Sequence, residues 1–230
     1  MALQAPVPNM LYDLEKDVTA LLPWDLSVAV TDPTHPRSAA YPEEAACLPP
    51  MRAIRRREFL AGRDALRQAI VGLRLPPCAI PMRDDRAPEL PDHVRASLSH
   101  SGALCVAIAD LASNTSGLGV DIEPIEGLDP ALWDTVCTRA ERAWLASLPD
   151  AARPLAAKRI FCAKEAAYKC QYALSGALLD FDAFDIIFPD HTGFRATFRQ
   201  SVGPFSAGDR ITGRHGQIRG HLICVARIPA

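Results

Sequence analysis

Two short runs hold most of the residues that could do chemistry. In GVDIE, Asp121 and Glu123 stand two apart, and in an extended strand that spacing sends both carboxylates to the same face. Two hard oxygen donors side by side suit magnesium, which takes one or two carboxylates and completes its shell with water and substrate phosphates. A pair of solvated acids at a strand end is the plain alternative. In FCAKEAAYK, Glu165 and Lys169 are four apart and share a helix face. The plain account is a surface pair worth about 0.3–0.5 kcal/mol. The chemical account makes Glu165 a third carboxylate for a metal, with Lys164 and Lys169 holding the phosphates that the metal bridges. Phe161 and Tyr168 lie among these residues and read as packing.

Other residues could meet an anion. ASLSHS places Ser97 and Ser99 on one strand face and Leu98 and His100 on the other, ending at a turn where backbone groups become free. His100 is either a hydrogen-bonded structural histidine or a donor to phosphate. Arg55, Arg56, Arg57, Arg63 and Arg67 lie on one helical segment; they form a solvated basic face, or grip a polyanion. Arg55 and Arg63 are eight apart, close to two turns, so both can lean toward one ligand. The chain has no GxxxxGK[ST], GxGxxG or GxSxG. Phosphate chemistry here must rest on side-chain cations and a metal.

The elements that must position these residues are legible in part. Residues 1–50 are rich in proline and alanine and read as loop with one strand near Leu26 to Val30. Met51 to Leu73 has Ile54, Phe59, Leu66, Ile70 and Leu73 at helical spacing. A proline-punctuated loop follows, then strands in ASLSHS, ALCVAIA and LGVDIEPI with turns at Ser101-Gly102 and SNTSG. Helical patterns return over Pro130 to Leu148, with Glu141 and Arg142 on the polar side, and over Ala151 to Ala173. FDAFDIIF, GFRATFRQ and GHLICVARI read as strands. That order argues for an α+β fold rather than a regular βαβ alternation.

The bulk composition restricts the partners. At 230 residues and 49% hydrophobic, the chain can bury a full core as one domain or two halves. A net charge of −2 offers no bulk field for nucleic acid or an anionic membrane. Seven scattered cysteines without a CxxC pair argue against structural zinc or a disulfide framework and fit a reducing cytoplasm. The opening MALQAPVPNMLYDLEKDV lacks a basic segment followed by an apolar run, and no apolar stretch approaches the roughly 20 residues that span a bilayer. A cytoplasmic protein is expected.

Taken together, RRREFLAGRDALR, DRAP, SLSH, GVDIE and FCAKEAAYK occur in the order and rough spacing of the 4′-phosphopantetheinyl transferases, and the chain resembles their enterobactin-synthase and surfactin-type branch. The conjunction, over about residues 51 to 181, is specific; each motif alone is not. The resemblance implies two pseudo-symmetric α+β halves, 1–114 and 115–230, with the active site in the cleft between them, usually in a monomer. It implies coenzyme A as co-substrate, Mg2+ as cofactor, and an acyl or peptidyl carrier protein as acceptor, with 3′,5′-adenosine diphosphate released. Asp121, Glu123 and Glu165 would be the metal ligands, Glu165 also a candidate base for the acceptor serine, and Lys169 would neutralise the diphosphate. His100 and Arg55 would meet the 3′-phosphate, with Arg63 and Lys164 as further phosphate contacts, Ser99 beside them in SLSH, and Arg86 near the adenine. Some relatives carry a glycine-lysine pair before the proline where this chain has DRAP.

The same carboxylates and cations would serve a magnesium-dependent hydrolase of a nucleotide diphosphate. A nucleic-acid binder using the arginine helix is the third reading, and the near-neutral charge counts against it. The segment Gln171 to Leu179, with Tyr172, Leu174, Leu178 and Leu179, is either a partner surface beside the metal site or packs under the following strand.

Overall fold

The computed structural model describes residues 8–36 and 40–230. The opening residues 1–7, part of the stretch read for a leader, lie outside them. Backbone contacts divide the chain into one unit up to Thr115, with Ala230, and a second from Ser116 to Pro229.

In the first unit, β1 (Ser27–Thr31), β2 (Val94–Ser101) and β3 (Leu104–Leu111) form an antiparallel sheet in the order β1-β3-β2. The β2–β3 turn pairs Ser101 with Leu104, and Gly102 takes the positive φ of 59° that this tight reversal needs. Onto the sheet packs α3 (Ala53–Gly72), whose buried stripe Ala61, Ala65, Leu66, Ala69 and Ile70 meets Cys105, Ala107 and Ala109. Small alanines on both sides draw the helix close, and burying Leu66 or Ile70 contributes about 1.5–3 kcal/mol each. Ile54, expected in the apolar stripe, is instead 63% exposed, because the helix's first two turns run past the sheet-facing core.

The first fifty residues hold more structure than their proline content suggests. Helix α1 (Pro8–Leu21) buries Leu11, Leu14 and Val18 at helical spacing. The short α2 (Pro42–Ala46) delivers Glu44, fully buried, to Arg67 Nη1 at 2.5 Å and to the Ile80 N–H at 3.0 Å. Arg67 is thus a structural cation rather than part of a solvated basic face.

In the second unit, β4 (Thr115–Pro124), β5 (Phe184–Ile187), β6 (Gly193–Phe198), β7 (Arg210–Ile218) and β8 (His221–Pro229) form a sheet in the order β4-β8-β7-β6-β5. Strand β7 has no clear apolar alternation in sequence. It buries Ile211, Gly213 and His215, and a Cβ at Gly213 would lie 2.1 Å from the Phe194 ring, so the glycine marks close packing rather than a turn. The helical pattern of Pro130 to Leu148 breaks into a 3-10 turn (Pro130–Leu132), α4 (Trp133–Val136) and α5 (Arg139–Ala146). Cys137 and Thr138 are extended at the break, where Thr138 caps α5 and Glu141 returns a carboxylate to the Thr138 N–H at 2.7 Å. Helix α6 (Arg153–Ser175) packs on β8 and ends at Gly176, in the left-handed conformation with φ 62°. Among the described residues, no helix is long and apolar enough to cross a membrane.

Candidate active site

The acidic site is built by an unusually close approach of α6 to β4. A Cβ at Gly119 would lie 1.9 Å from the Ala166 carbonyl oxygen, and one at Gly117 would lie 2.6 Å from that of Cys170. The alternation of a strand puts Gly117, Gly119, Asp121 and Glu123 on one face. Two missing side chains therefore let the helix backbone settle against the strand immediately before the two carboxylates. Across from them, α6 presents Lys158, Cys162, Glu165 and Lys169 at helical spacing.

Lys169 Nζ donates to Asp121 Oδ1 at 2.7 Å and to the Val120 carbonyl at 3.0 Å, rather than closing the i,i+4 pair with Glu165 that spacing allows. Lys158, which sequence reading did not single out, donates to Glu123 Oε2 at 3.0 Å. The Cys162 thiol donates to the Asp121 carbonyl at 3.4 Å. Glu165 is half-buried, and its carboxyl is held above the usual carboxylate range, first by desolvation, then by the negative charges of Asp121 and Glu123, with Lys169 only partly offsetting them. Among the described residues, no three acidic, histidine or cysteine side chains converge at metal-ligand spacing. The donor set nevertheless fits a hard divalent cation: all oxygen, with Asp121 and Glu123 on one strand face and Glu165 on the helix across from it. A cavity of about 180 Å3 opens beside Glu165, lined also by Tyr168, Leu179 and Phe181.

Lys164 sits next to Glu165 in sequence and lines the same cavity, but its ammonium group is committed to other partners. It is 1% exposed, and its three ammonium donors go to Glu141 Oε2 at 2.8 Å, the Val136 carbonyl at 2.8 Å and the Phe181 carbonyl at 2.7 Å. Glu141 also accepts the Ile186 N–H at 2.7 Å and is itself buried, not on the polar side of its helix. This buried pair ties α4, α5, β5 and α6 together, and leaves Lys164 no proton to offer a phosphate. The T-x-x-E spacing of Thr138 and Glu141 was the available sign that Glu141 is committed to backbone.

In the first unit, His100 lies on the α3 side of its strand. Arg55 Nη1 donates to His100 Nε2 at 3.0 Å and to Glu58 Oε2 at 3.1 Å, and Glu58 Oε2 lies 3.8 Å from His100 Nε2. Glu58 did not enter the sequence reading. Arg63 is not at this cluster. It is 5% exposed, stacks on Phe59 at 4.3 Å, and donates through Nε to the Ile80 carbonyl at 2.7 Å; burial lowers its pKa to about 10. It therefore anchors the loop that leads to Arg86. Arg86 is exposed in a turn with φ 70°, donating its N–H to the Arg83 carbonyl at 2.8 Å. Ser99 is buried on the face of β2 opposite His100.

The amino-acid sequence of these two units matches known family models over most of its length. The 4′-phosphopantetheinyl transferase superfamily model matches residues 117–223, and the model of the 4′-phosphopantetheinyl transferase N-terminal domain matches residues 43–110. The chain is 36% identical over 208 residues to the 4′-phosphopantetheinyl transferase Svp of Streptomyces mobaraensis, covering 87% of this chain and 83% of that one. It is 34% identical over 176 residues to the 4′-phosphopantetheinyl transferase PptT of Mycobacterium tuberculosis, covering 76% and 77%. The chain belongs to the 4′-phosphopantetheinyl transferase superfamily. It is a transferase that moves phosphopantetheine from coenzyme A to carrier proteins, and the hydrolase reading finds no support in these relatives.

Proposed function

We propose that the acceptor is a serine of an apo acyl or peptidyl carrier protein, and that the reaction releases 3′,5′-adenosine diphosphate with the assistance of a magnesium ion held by Asp121, Glu123 and Glu165. The observation that carries this reading is the Glu165 carboxyl, raised first by desolvation and then by the charge of Asp121, on a helix face opposite the strand face that bears Asp121 and Glu123. A bound magnesium ion would supply charge neutralisation at the diphosphate.

The chain's own residues have separable tasks. Glu165, poised by its raised pKa, accepts the serine proton as the serine oxygen bonds to the phosphorus of the pantetheine phosphate. The bond from that phosphorus to the bridging oxygen breaks, and the oxygen leaves on 3′,5′-adenosine diphosphate, its charge stabilised by Lys169. Arg55 and His100 take the 3′-phosphate. Arg63 and Lys164 contribute by positioning, the first through the Ile80 loop and the second through the Glu141 pair. Arg86, exposed at the tip of its turn, is assigned to the adenine.

The motifs RRREFLAGR and FCAKEA support membership of the enterobactin-synthase and surfactin-type branch. Seven free thiols fit a cytoplasmic enzyme, and a monomer suffices for this site. Incubation with coenzyme A, magnesium and a panel of apo carrier proteins, followed by intact mass measurement, tests the reading. A gain of one phosphopantetheine on a carrier, abolished by chelator, is expected; full conversion in excess chelator overturns the metal assignment.

A further inference from the structure

Glu58 places a carboxylate inside the cation cluster of the first unit. Its Oε2 shares Arg55 Nη1 with His100 Nε2 and lies 3.8 Å from that nitrogen. A guanidinium only donates, so the 3.0 Å contact is a hydrogen bond in the His100 tautomer that accepts at Nε2, and in either tautomer Arg55 and Glu58 crowd the nitrogen that a ligand would use. The three side chains are 61%, 25% and 30% exposed for Arg55, Glu58 and His100, so the cluster is open to an incoming anion.

We propose that Glu58 is an internal counter-anion: it holds Arg55 beside His100 in the ligand-free enzyme and must be displaced by the terminal 3′-phosphate of the coenzyme. This rests on the assignment of that phosphate to Arg55 and His100. A phosphate dianion entering the cluster meets the Glu58 carboxylate on the same guanidinium, so the two anions compete for one set of donors. Glu58 therefore acts as a specificity-tuning residue. It weakens the hold on coenzyme A and leaves a coenzyme without the 3′-phosphate unaffected, because that ligand does not call on these donors.

Calorimetric titration of the intact enzyme with coenzyme A and with dephospho-coenzyme A provides the test. Glu58→Gln keeps the shape and removes the charge. It is expected to tighten coenzyme A binding about two- to fivefold, the scale of a half-exposed ion pair, and to raise the ratio of the two dissociation constants by the same factor. Glu58→Asp retains the charge on a shorter arm and should raise the ratio less; it also serves if the glutamine variant does not fold. A ratio that is unchanged or lowered in both variants, in an enzyme whose wild type prefers coenzyme A, overturns the counter-anion role alone. If the wild type shows no preference and His100→Ala weakens both ligands equally, the 3′-phosphate assignment falls, and the inference with it.

Discussion

Lys169 Nζ and Asp121 Oδ1 lie 2.7 Å apart, bringing together the carboxylate that begins the D-x-E pair of one strand and the cation that ends the KEAAYK run of the opposing helix. The lysine is 27% exposed and the aspartate 5%, so one partner reaches out to solvent while the other is fixed. Asp121 is thus held in place by the residue assigned to the leaving group, and charge on either side of this pair changes the proton affinity of Glu165.

Glu165 takes its raised pKa partly from Asp121, so removing that charge must lower it. As a base, Glu165 works above its pKa, and the acidic limb of the rate profile follows it. In Asp121→Asn, whatever turnover remains should show this limb at lower pH than in wild type. Asp121→Ala and Glu165→Gln should each reduce turnover by about 10²-fold or more, with circular dichroism showing a folded protein. An acidic limb that stays in place in Asp121→Asn excludes Glu165 as the titrating base.

Removing one member of the Lys164–Glu141 pair strands a buried charge, and Lys164→Met should cost about 3–5 kcal/mol in urea denaturation. Adding Glu141→Leu to that variant should recover part of the loss, although the Thr138 and Ile186 N–H groups lose their acceptor. A Lys164→Met protein of wild-type stability with weaker coenzyme binding would restore the direct phosphate contact.

Gly119→Ala adds a methyl where the Ala166 carbonyl already stands, at a distance no real Cβ tolerates, and both neighbours are backbone. The variant should lose about 2–3 kcal/mol or more by overpacking and should lose activity along with stability, because β4 and α6 can separate only by pulling Asp121 from Lys169. A stable, fully active Gly119→Ala protein would show that the close approach is not required.

His215 is buried beside Phe188, ring centroids 4.9 Å apart, and its pKa is lowered to about 4, first by burial and then by Arg159. The folded protein binds this proton less tightly than the unfolded chain, so stability is full above about pH 6.5 and is lost as pH falls toward 4. The loss amounts to about 1–2 kcal/mol once partial solvent screening is allowed for. Thermal melts between pH 7 and 4 should show a shallower acid decline in His215→Gln than in wild type.

Leu178 is 81% exposed and Leu174 37%, while Leu179 lines the cavity beside Glu165. These exposed leucines are the proposed anchor for the carrier protein. Leu174→Ser with Leu178→Ser should raise the KM for the carrier about tenfold and leave the KM for coenzyme A within twofold, the scale of losing a modest apolar anchor. An unchanged carrier KM removes this segment from the interface.

Much of the site was written in local patterns. The D-x-E alternation and the KEAAYK helix face follow from the two backbone periods alone, and these put Asp121 with Glu123 and Glu165 with Lys169 before any packing is known. The same alternation puts His100 with Leu98 on the strand face opposite Ser97 and Ser99, and only the structure shows that this face meets Arg55. What only the tertiary structure decided is which lysine meets which carboxylate. Lys164 and Lys169 look equivalent in sequence, yet one is sealed against Glu141 and the other reaches Asp121, because α6 buries one face and opens the other at the strand edge. Likewise, Arg63 and Arg67 look like Arg55, but the helix passes under the Ile80 loop and α2 only from its third turn onward. Periodicity fixes which side chains share a face. Whether that face meets water, a backbone carbonyl or an opposite charge depends on segments distant in the chain, and for Gly119 on a backbone approach that no local pattern encodes.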